Sequence, residues 1–188
     1  MTLTQQEREF LLRLARNAIE SAVRGEKLVP TDSSALNPVL RQNGAAFVTL
    51  TISGNLRGCI GALEAYQPLV DDVREHAVAA ALEDPRFPPV SVSELTRIHI
   101  EISRLTHPEP LSYTDTADLL RKLRPGLDGV ILRDGYRRAT FLPQVWEQLP
   151  GKEEFLSHLC AKMGASPNAW QIKHLDVQTY QVEEFHEA

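Results

Sequence analysis

The spacing of apolar residues predicts the first helix. They recur every three or four positions between Phe10 and Ala22, and Gly25 follows as a stop signal. Thr4 and Glu7 have the spacing of a capping box, in which the hydroxyl and the carboxylate bind the first free backbone amides. Residues 26–44 are rich in proline, glycine and short polar side chains, which predicts a long surface connection.

Alternating apolar and polar residues then predict a hairpin. Phe47–Ile52 and Leu56–Gly61 lie on either side of a Ser-Gly-Asn turn, so we expect two paired strands. Leu56–Gly61 is the second of these strands, and the register would place Cys59 opposite Thr49 or Thr51.

Further patterns predict helices, a second hairpin and two more strands. We expect a helix from Pro68 that ends before Asp84-Pro85, then a strand at 98–102 and a stiff linker at His107–Pro110. After the linker, the pattern predicts a helix capped by Thr114 or Asp115 and paired strands at 130–132 and 139–142. The chain is expected to end with helices from Pro143 and over 153–163 and a last strand at 177–185. About five strands occur without regular βαβ alternation, so the predicted fold class is α+β, an antiparallel sheet flanked by helices.

Length and charge narrow the class of protein. A chain of 188 residues fits one domain over residues 1–188, or one domain with a smaller subdomain whose boundary the sequence leaves open. The net charge of −5 argues against bulk attraction to nucleic acid or anionic lipid. No signal region or membrane-spanning run is present, so a reducing cytoplasm is expected, in which Cys59 and Cys160 stay thiols.

The candidate chemistry centres on the hexapeptide Leu56-Arg57-Gly58-Cys59-Ile60-Gly61. The glycines allow close approach of a backbone or a ligand, or a positive φ. In a regular strand Arg57 and Cys59 share a face, and Leu56, Gly58 and Ile60 lie on the other. The guanidinium favours a thiolate if its head group points the same way as the cysteine. The strand therefore predicts an activated cysteine or an anion pocket, against the alternative of a small buried cysteine in a strand that bends at glycines.

Three other positions each have two interpretations. Glu101 is a general base if its strand face looks into a cleft, and a solvated side chain if that face looks into water. His76 is either a proton-transfer group or a packing residue of its helix. Arg86 and Phe87 form the wall of a cleft, or Arg86 pairs with Asp84 and Phe87 fills the core.

The hexapeptide, followed by Leu63-Glu64, resembles the signature of the family called AmmeMemoRadiSam system protein A, whose eukaryotic relatives are named for the AMME chromosomal region. Further matches follow in the family's order and span nearly the whole chain. They lie at Asp84–Pro89, Gly126–Gly129, Phe141–Val145 and Leu159–Lys162. The resemblance implies a fold with a larger and a smaller subdomain, whose motif segments converge on one cleft.

The resemblance also carries over individual residues. The matched positions are Arg57, Gly58, Cys59, Gly61, Arg86, Phe87, Pro88, Pro89, Asp128, Leu142, Pro143 and Gln144, with Cys160 and Lys162 in a segment that departs from the family at Met163. Arg138 is added from the residues themselves, because it alternates with Thr140 and the two can share a face toward a pocket. The alternative is that Arg138 belongs, with Arg133 and Arg137, to a solvated charge cluster at the ends of the hairpin. The family's name implies association with Memo-type and radical-SAM proteins, which indicates a shared system and no particular reaction.

Two classes of function follow. The first is an accessory or ligand-binding protein whose cleft is centred on Leu56–Gly61. The second is a cysteine-dependent enzyme, in which Cys59 is the nucleophile, Arg57 and Arg86 hold a small anionic substrate, and Glu101 or His76 moves protons. The binding function is preferred, because no third element of a catalytic triad is recognisable. No metal or cofactor motif is present, so neither is predicted.

Overall fold

Two antiparallel sheets organise the chain. The computed structural model describes residues 2–28 and 36–187, which form two compact units. The first unit contains residues up to Thr106 together with the C-terminal residues from Glu183, and the second contains His107–Val182. The boundary at His107 coincides with the predicted proline-rich linker. The α+β class and the antiparallel pairing are confirmed.

The first unit contains three α-helices, one 3-10 helix and five strands among its described residues. They are α1 (Gln5–Val23), α2 (Pro38–Arg41), β1 (Asn43–Ile52), β2 (Asn55–Gly61), β3 (Gln67–Pro68), α3 (Leu69–Leu82), a 3-10 helix (Val92–Glu94), β4 (Ile98–Leu105) and β9 (Val182–His186). The sheet order is β2-β1-β4-β9, and β3 pairs with the start of β1. The capping box at Thr4 and Glu7 is confirmed.

The predicted connection over residues 26–44 is partly wrong. Residues 29–35 lie outside the described part of the chain, but α2 and the start of β1 occupy much of the remainder. Pro38 explains why a helix begins here, because the fixed φ of proline suits the first turn of a helix.

The core of the first unit lies between one face of its sheet and the helices α1 and α3. Ala46, Val48 and Leu50 of β1 are fully buried there, as are Ile100 and Ile102 of β4. Because side chains alternate along a strand, Thr49 and Glu101 lie on the opposite face of the sheet.

The second unit contains the remaining elements. They are β5 (Glu109–Pro110), α4 (Thr116–Lys122), β6 (Gly129–Asp134), β7 (Arg137–Phe141), a 3-10 helix (Pro143–Glu147), α5 (Lys152–Lys162), α6 (Ala169–Ile172) and β8 (Asp176–Tyr180). The sheet order is β5-β8-β6-β7. Trp146 stacks on Phe155 with ring centroids 3.6 Å apart at the centre of its core.

The single strand predicted at 177–185 is wrong, since the segment forms two strands in different sheets. β8 pairs with β5 and β6, and β9 joins the sheet of the first unit. Tyr180 and Phe185 are both buried, one in each unit. Alternation continues through Gln181, so the pattern carries no signal for the break. Among the described helices none is long and apolar enough to cross a membrane.

Candidate functional site

The hexapeptide forms β2, an edge strand that pairs with β1. Cys59 lies opposite Thr49, which is one of the two predicted registers. Gly58 lies opposite Leu50 and Leu56 opposite Thr51, so Arg57 is an extra residue in a β-bulge. The bulge moves Leu56 to the face of Thr51, and the strict alternation predicted for this strand is therefore wrong at Leu56.

The two glycines of β2 permit close approach of another backbone. A Cβ atom on Gly58 would lie 2.1 Å from the carbonyl oxygen of Ala80 on α3, and one on Gly61 would lie 2.5 Å from that of Ala46. Among the described residues neither glycine has a positive φ. Of the alternatives that the sequence left open, close approach of another backbone is therefore the one that the protein uses. At Gly58 this approach brings β2 against α3.

Asp84 and Arg86 bind the free edge of β2 at Cys59. The carboxylate Oδ2 of Asp84 accepts a hydrogen bond of 2.8 Å from the Cys59 amide, and Arg86 Nη2 donates to the Cys59 carbonyl at 3.2 Å. Arg86 Nη2 also donates to Asp84 Oδ2 at 2.7 Å. The Arg86 guanidinium and the backbone amides hold the pKa of Asp84 well below its usual range. The segment that contains Asp84 and Arg86 thereby covers the edge of β2 that pairs with no other strand, and it fixes the backbone of Cys59.

Arg57 is directed to Glu94 and not to the cysteine. Its Nε donates to Glu94 Oε1 at 2.7 Å and its Nη2 to Oε2 at 3.3 Å, and this pairing lowers the pKa of Glu94 to about 2. The sequence predicts a thiolate at Cys59 on the condition that the Arg57 guanidinium points toward the sulfur. The guanidinium points to Glu94 instead, so that condition is not met. The ring of Phe87 lies beneath both guanidinium groups, 5.9 Å from that of Arg57 and 5.6 Å from that of Arg86.

The side chain of Cys59 lies in a polar row across three strands. It is half-buried, and the Thr49 hydroxyl donates to its sulfur at 3.3 Å. Glu101 of β4, also half-buried, lies opposite Thr49 on the other side. With strands spaced about 4.8 Å apart, the backbones of Cys59 and Glu101 are about 10 Å apart. A thiol, a hydroxyl and a carboxylate thus share one face.

His76 lies on the apolar side of this sheet. It is buried on α3, where its Nδ1 is 3.2 Å from Asp72 Oδ2. The same oxygen accepts the amide of Ala46 at 2.9 Å. The hydrogen bond to Asp72 raises the pKa of His76 above its ordinary value. The structure therefore does not bring His76 into the row that contains Cys59.

Three predicted binding residues belong to the second unit. Asp128 is buried and holds the turn before β6, where it accepts the Arg124 amide at 2.9 Å and Arg124 Nη2 at 2.6 Å. Arg138 is exposed on β7 opposite Arg133, and Gln144 is exposed in the 3-10 helix.

The sequence does not identify the roles of two residues that shape the site. It places Asp84 after a helix and as a partner for Arg86 but not at the Cys59 amide, and it gives Glu94 no role. Asp84 begins a segment that matches the family and precedes a proline, and this position is the signal in the sequence that could have identified it. No local pattern identifies Glu94, because it meets Arg57 across 37 positions of sequence. In the described part of the chain no group of three histidine, cysteine or acidic side chains has the geometry of a metal site.

The two free cysteines differ in accessibility, which predicts selective alkylation. Cys160 is fully buried on α5, and burial raises the pKa of its thiol, whereas Cys59 is half-buried. We expect iodoacetamide to label Cys59 of the native protein at least about tenfold faster than Cys160, because the thiol must be exposed to react. Site-resolved mass spectrometry measures both rates, and labelling in denaturant gives the reference in which the two should converge. Equal rates in the native protein would contradict the geometry.

The comparisons with known proteins extend over both units. The family model AMMECR1 matches residues 12–185. A protein from Methanothermobacter thermautotrophicus is 43% identical, with 98% of this chain and 96% of that protein covered, and one from Methanocaldococcus jannaschii is 36% identical, with 98% and 92% covered. The crystal structure of an uncharacterized protein from Pyrococcus horikoshii is similar with a TM-score of 0.76 and 35% identity, over 98% of this chain and 93% of that one.

Proposed function

This chain belongs to the AMMECR1 family, and we propose that it is a ligand-binding protein whose binding site is the polar face of β2 at Cys59 together with the guanidinium of Arg86. The resemblance found from the hexapeptide is thereby confirmed at the level of the family. We propose further that the ligand is small and anionic, and that Arg86 is the residue that meets its charge.

The observation that carries this proposal is the fixed position of Arg86. Asp84 Oδ1 accepts Arg86 Nε at 2.9 Å, and Nη2 is used by Asp84 Oδ2 and by the Cys59 carbonyl. The side chain is nevertheless 54% exposed. An arginine carries five N–H donors, so Nη1 remains for an incoming oxygen anion while the rest of the guanidinium is held in place. A donor that is already ordered loses less entropy on binding.

The polar row beside Arg86 supplies hydrogen-bonding groups for the rest of a ligand. Cys59, Thr49 and Glu101 offer a thiol, a hydroxyl and a carboxylate on one face. Small-molecule sites typically combine a few convergent polar groups with aromatic walls, and Phe87 is the adjacent aromatic side chain. These groups favour a ligand that carries both an anionic group and hydrogen-bond donors.

Binding is favoured over nucleophilic catalysis by the surroundings of the thiol. A cysteine nucleophile normally has a base within about 3 Å, which a third group orients. The sulfur of Cys59 instead receives a hydrogen bond from a hydroxyl, and Glu101 is two strands away. The cysteine-dependent enzyme remains the second candidate, because Cys59 and Glu101 share a face and a substrate between them would contact both.

An accessory role fits the association with Memo-type and radical-SAM proteins that the sequence resemblance implies. In this proposal the protein binds a small anion that is used or produced within the same system. The role needs no reaction at Cys59, which separates it from the enzyme.

Protection of Cys59 from alkylation tests the binding proposal. Orthophosphate, titrated against sodium chloride of equal ionic strength, should slow the labelling of Cys59 by iodoacetamide in a saturable way, with a dissociation constant of about 1 mM or below. Arg86→Gln should remove the protection, whereas Arg97→Gln, an exposed arginine of the same unit, should retain it. Labelling that phosphate leaves unchanged, or protection that survives in Arg86→Gln, would contradict the proposal.

An activated ester separates the two candidates. With p-nitrophenyl acetate, a binding protein should release at most about one equivalent of nitrophenolate per accessible thiol and then stop. Sustained turnover that Cys59→Ser abolishes would support the enzyme instead.

A further inference from the structure

The second unit contains a cavity that shares no residue with the site at β2. It has a volume of about 320 Å³ and lies beside β8 and the residues that follow β5. Cavities of roughly 300 Å³ and above are large enough to hold a small molecule. All of its lining residues belong to His107–Val182, and none of them belongs to the matched motif segments.

Two side chains of opposite charge line this cavity and form no ion pair with each other. Arg133 of β6 and Asp176 of β8 are directly opposed in the sheet. Both point away from the core, because their neighbours Leu132 and Val177 are buried in it. Opposed residues have Cβ atoms about 5 Å apart, close enough for an ion pair. Within the part of the chain that the structure describes, however, neither side chain forms an ion pair or a hydrogen bond with a protein group.

An aromatic stack forms another wall of the cavity. His174 stacks on Tyr113 with ring centroids 4.2 Å apart and an interplanar angle of 20°. Tyr113 is fixed from beneath, since its hydroxyl donates to the Leu175 carbonyl at 2.9 Å and accepts the Leu175 amide at 2.8 Å. The His174 ring is exposed, so a rigid support presents one face of an imidazole to a planar group.

From this arrangement we propose that the cavity binds a small zwitterion with a planar group, of the kind an aromatic amino acid represents. Arg133 binds the carboxylate of the ligand through two N–H donors, and Asp176 binds its ammonium group. His174 stacks on the planar group. The opposed charges select for a molecule with both signs, because a simple anion or cation satisfies only one of the two side chains.

Three matched probes test the proposal by isothermal titration calorimetry. L-Phenylalanine carries both charges, whereas 3-phenylpropionate and 2-phenylethylamine each keep the ring and one charge. We expect saturable binding of L-phenylalanine with a dissociation constant below about 10 mM. Each of the other two probes should bind at least about tenfold more weakly, since one charged contact is lost.

Substitutions assign the binding to the cavity. Arg133→Gln and Asp176→Asn should each weaken L-phenylalanine binding at least about tenfold. Arg13→Gln and Glu154→Gln remove the same charges at exposed positions outside the cavity and should leave it unchanged. Thermal unfolding of each variant checks that it folds, and all four positions are on the surface. The absence of saturable binding, equal binding of the carboxylate probe, or binding that survives both cavity substitutions would each overturn the proposal.

Discussion

Replacing Gly58 with alanine is expected to destabilise the first unit by about 3 kcal/mol, the upper part of the range for overpacked cores. The new Cβ would lie 2.1 Å from the carbonyl oxygen of Ala80 and 3.1 Å from its carbonyl carbon. Both atoms belong to the backbone of α3, so no side-chain rotation relieves the contact, and the helix must move away from β2. Because a close-packed interior transmits such a shift, the strand that carries Cys59 is displaced as well.

Urea unfolding of wild type, Gly58→Ala and Gly54→Ala measures this effect. Gly54 is the matched control on the same hairpin, since it has a φ of +78° and no atom within 4 Å of its added Cβ. Its substitution should cost only the strain of a left-handed backbone, about 1–2 kcal/mol. The same holds for Gly164 in the second unit, with a φ of +76°. If Gly58→Ala loses no more stability than Gly54→Ala, close approach of the helix is not the reason for the glycine.

The glycines illustrate which features of the site the sequence predicts. A turn of Ser-Gly-Asn between two alternating runs specifies a hairpin locally. The structure confirms both strands and, of the two registers left open, has the one that pairs Cys59 with Thr49. That Gly58 faces the backbone of Ala80 depends on how α3 packs on the sheet. Such packing joins residues far apart in the chain, so the local pattern left close approach and positive φ as alternatives.

The same limit explains what the sequence leaves open at Arg57 and what it predicts wrongly at the C-terminal strand. The sequence predicts that Arg57 is near Cys59, but the orientation of its head group depends on Glu94, which the 3-10 helix Val92–Glu94 supplies. Alternation predicts extended backbone over 177–185, and most of that range is extended. Tyr180 is buried in the second unit and Phe185 in the first, and alternation does not encode which sheet each half joins.

Removing the carboxylate of Asp72 is expected to cost about 3–5 kcal/mol of unfolding free energy, the range for breaking a buried charged pair from one side. Asp72 is fully buried on α3, and its Oδ2 accepts both the Ala46 amide and the hydrogen bond with His76. Asp72→Ala leaves a buried amide and a buried imidazole without their partner, and each unsatisfied group adds to the loss. The neighbouring variant Asp71→Ala is the control, since it breaks only a partly exposed pair with Arg74 and should cost about 1 kcal/mol or less. Equal losses for the two variants would contradict the role given to Asp72.

The pH dependence of the same pair identifies His76 as its partner. The pKa of His76 is raised in the folded protein, chiefly by the hydrogen bond to Asp72. Its contribution to stability is therefore fully present below the unfolded pKa of about 6.5, and it is lost as the pH rises through the higher folded-state pKa. The difference in unfolding free energy between wild type and His76→Gln should accordingly shrink from pH 6 to pH 8. In a double-mutant cycle with Asp72→Ala, the two losses should be non-additive by about 0.5–3 kcal/mol at the lower pH, because both substitutions remove the same interaction. A difference that stays constant with pH, or losses that simply add, would mean that His76 packs beside Asp72 without sharing its proton.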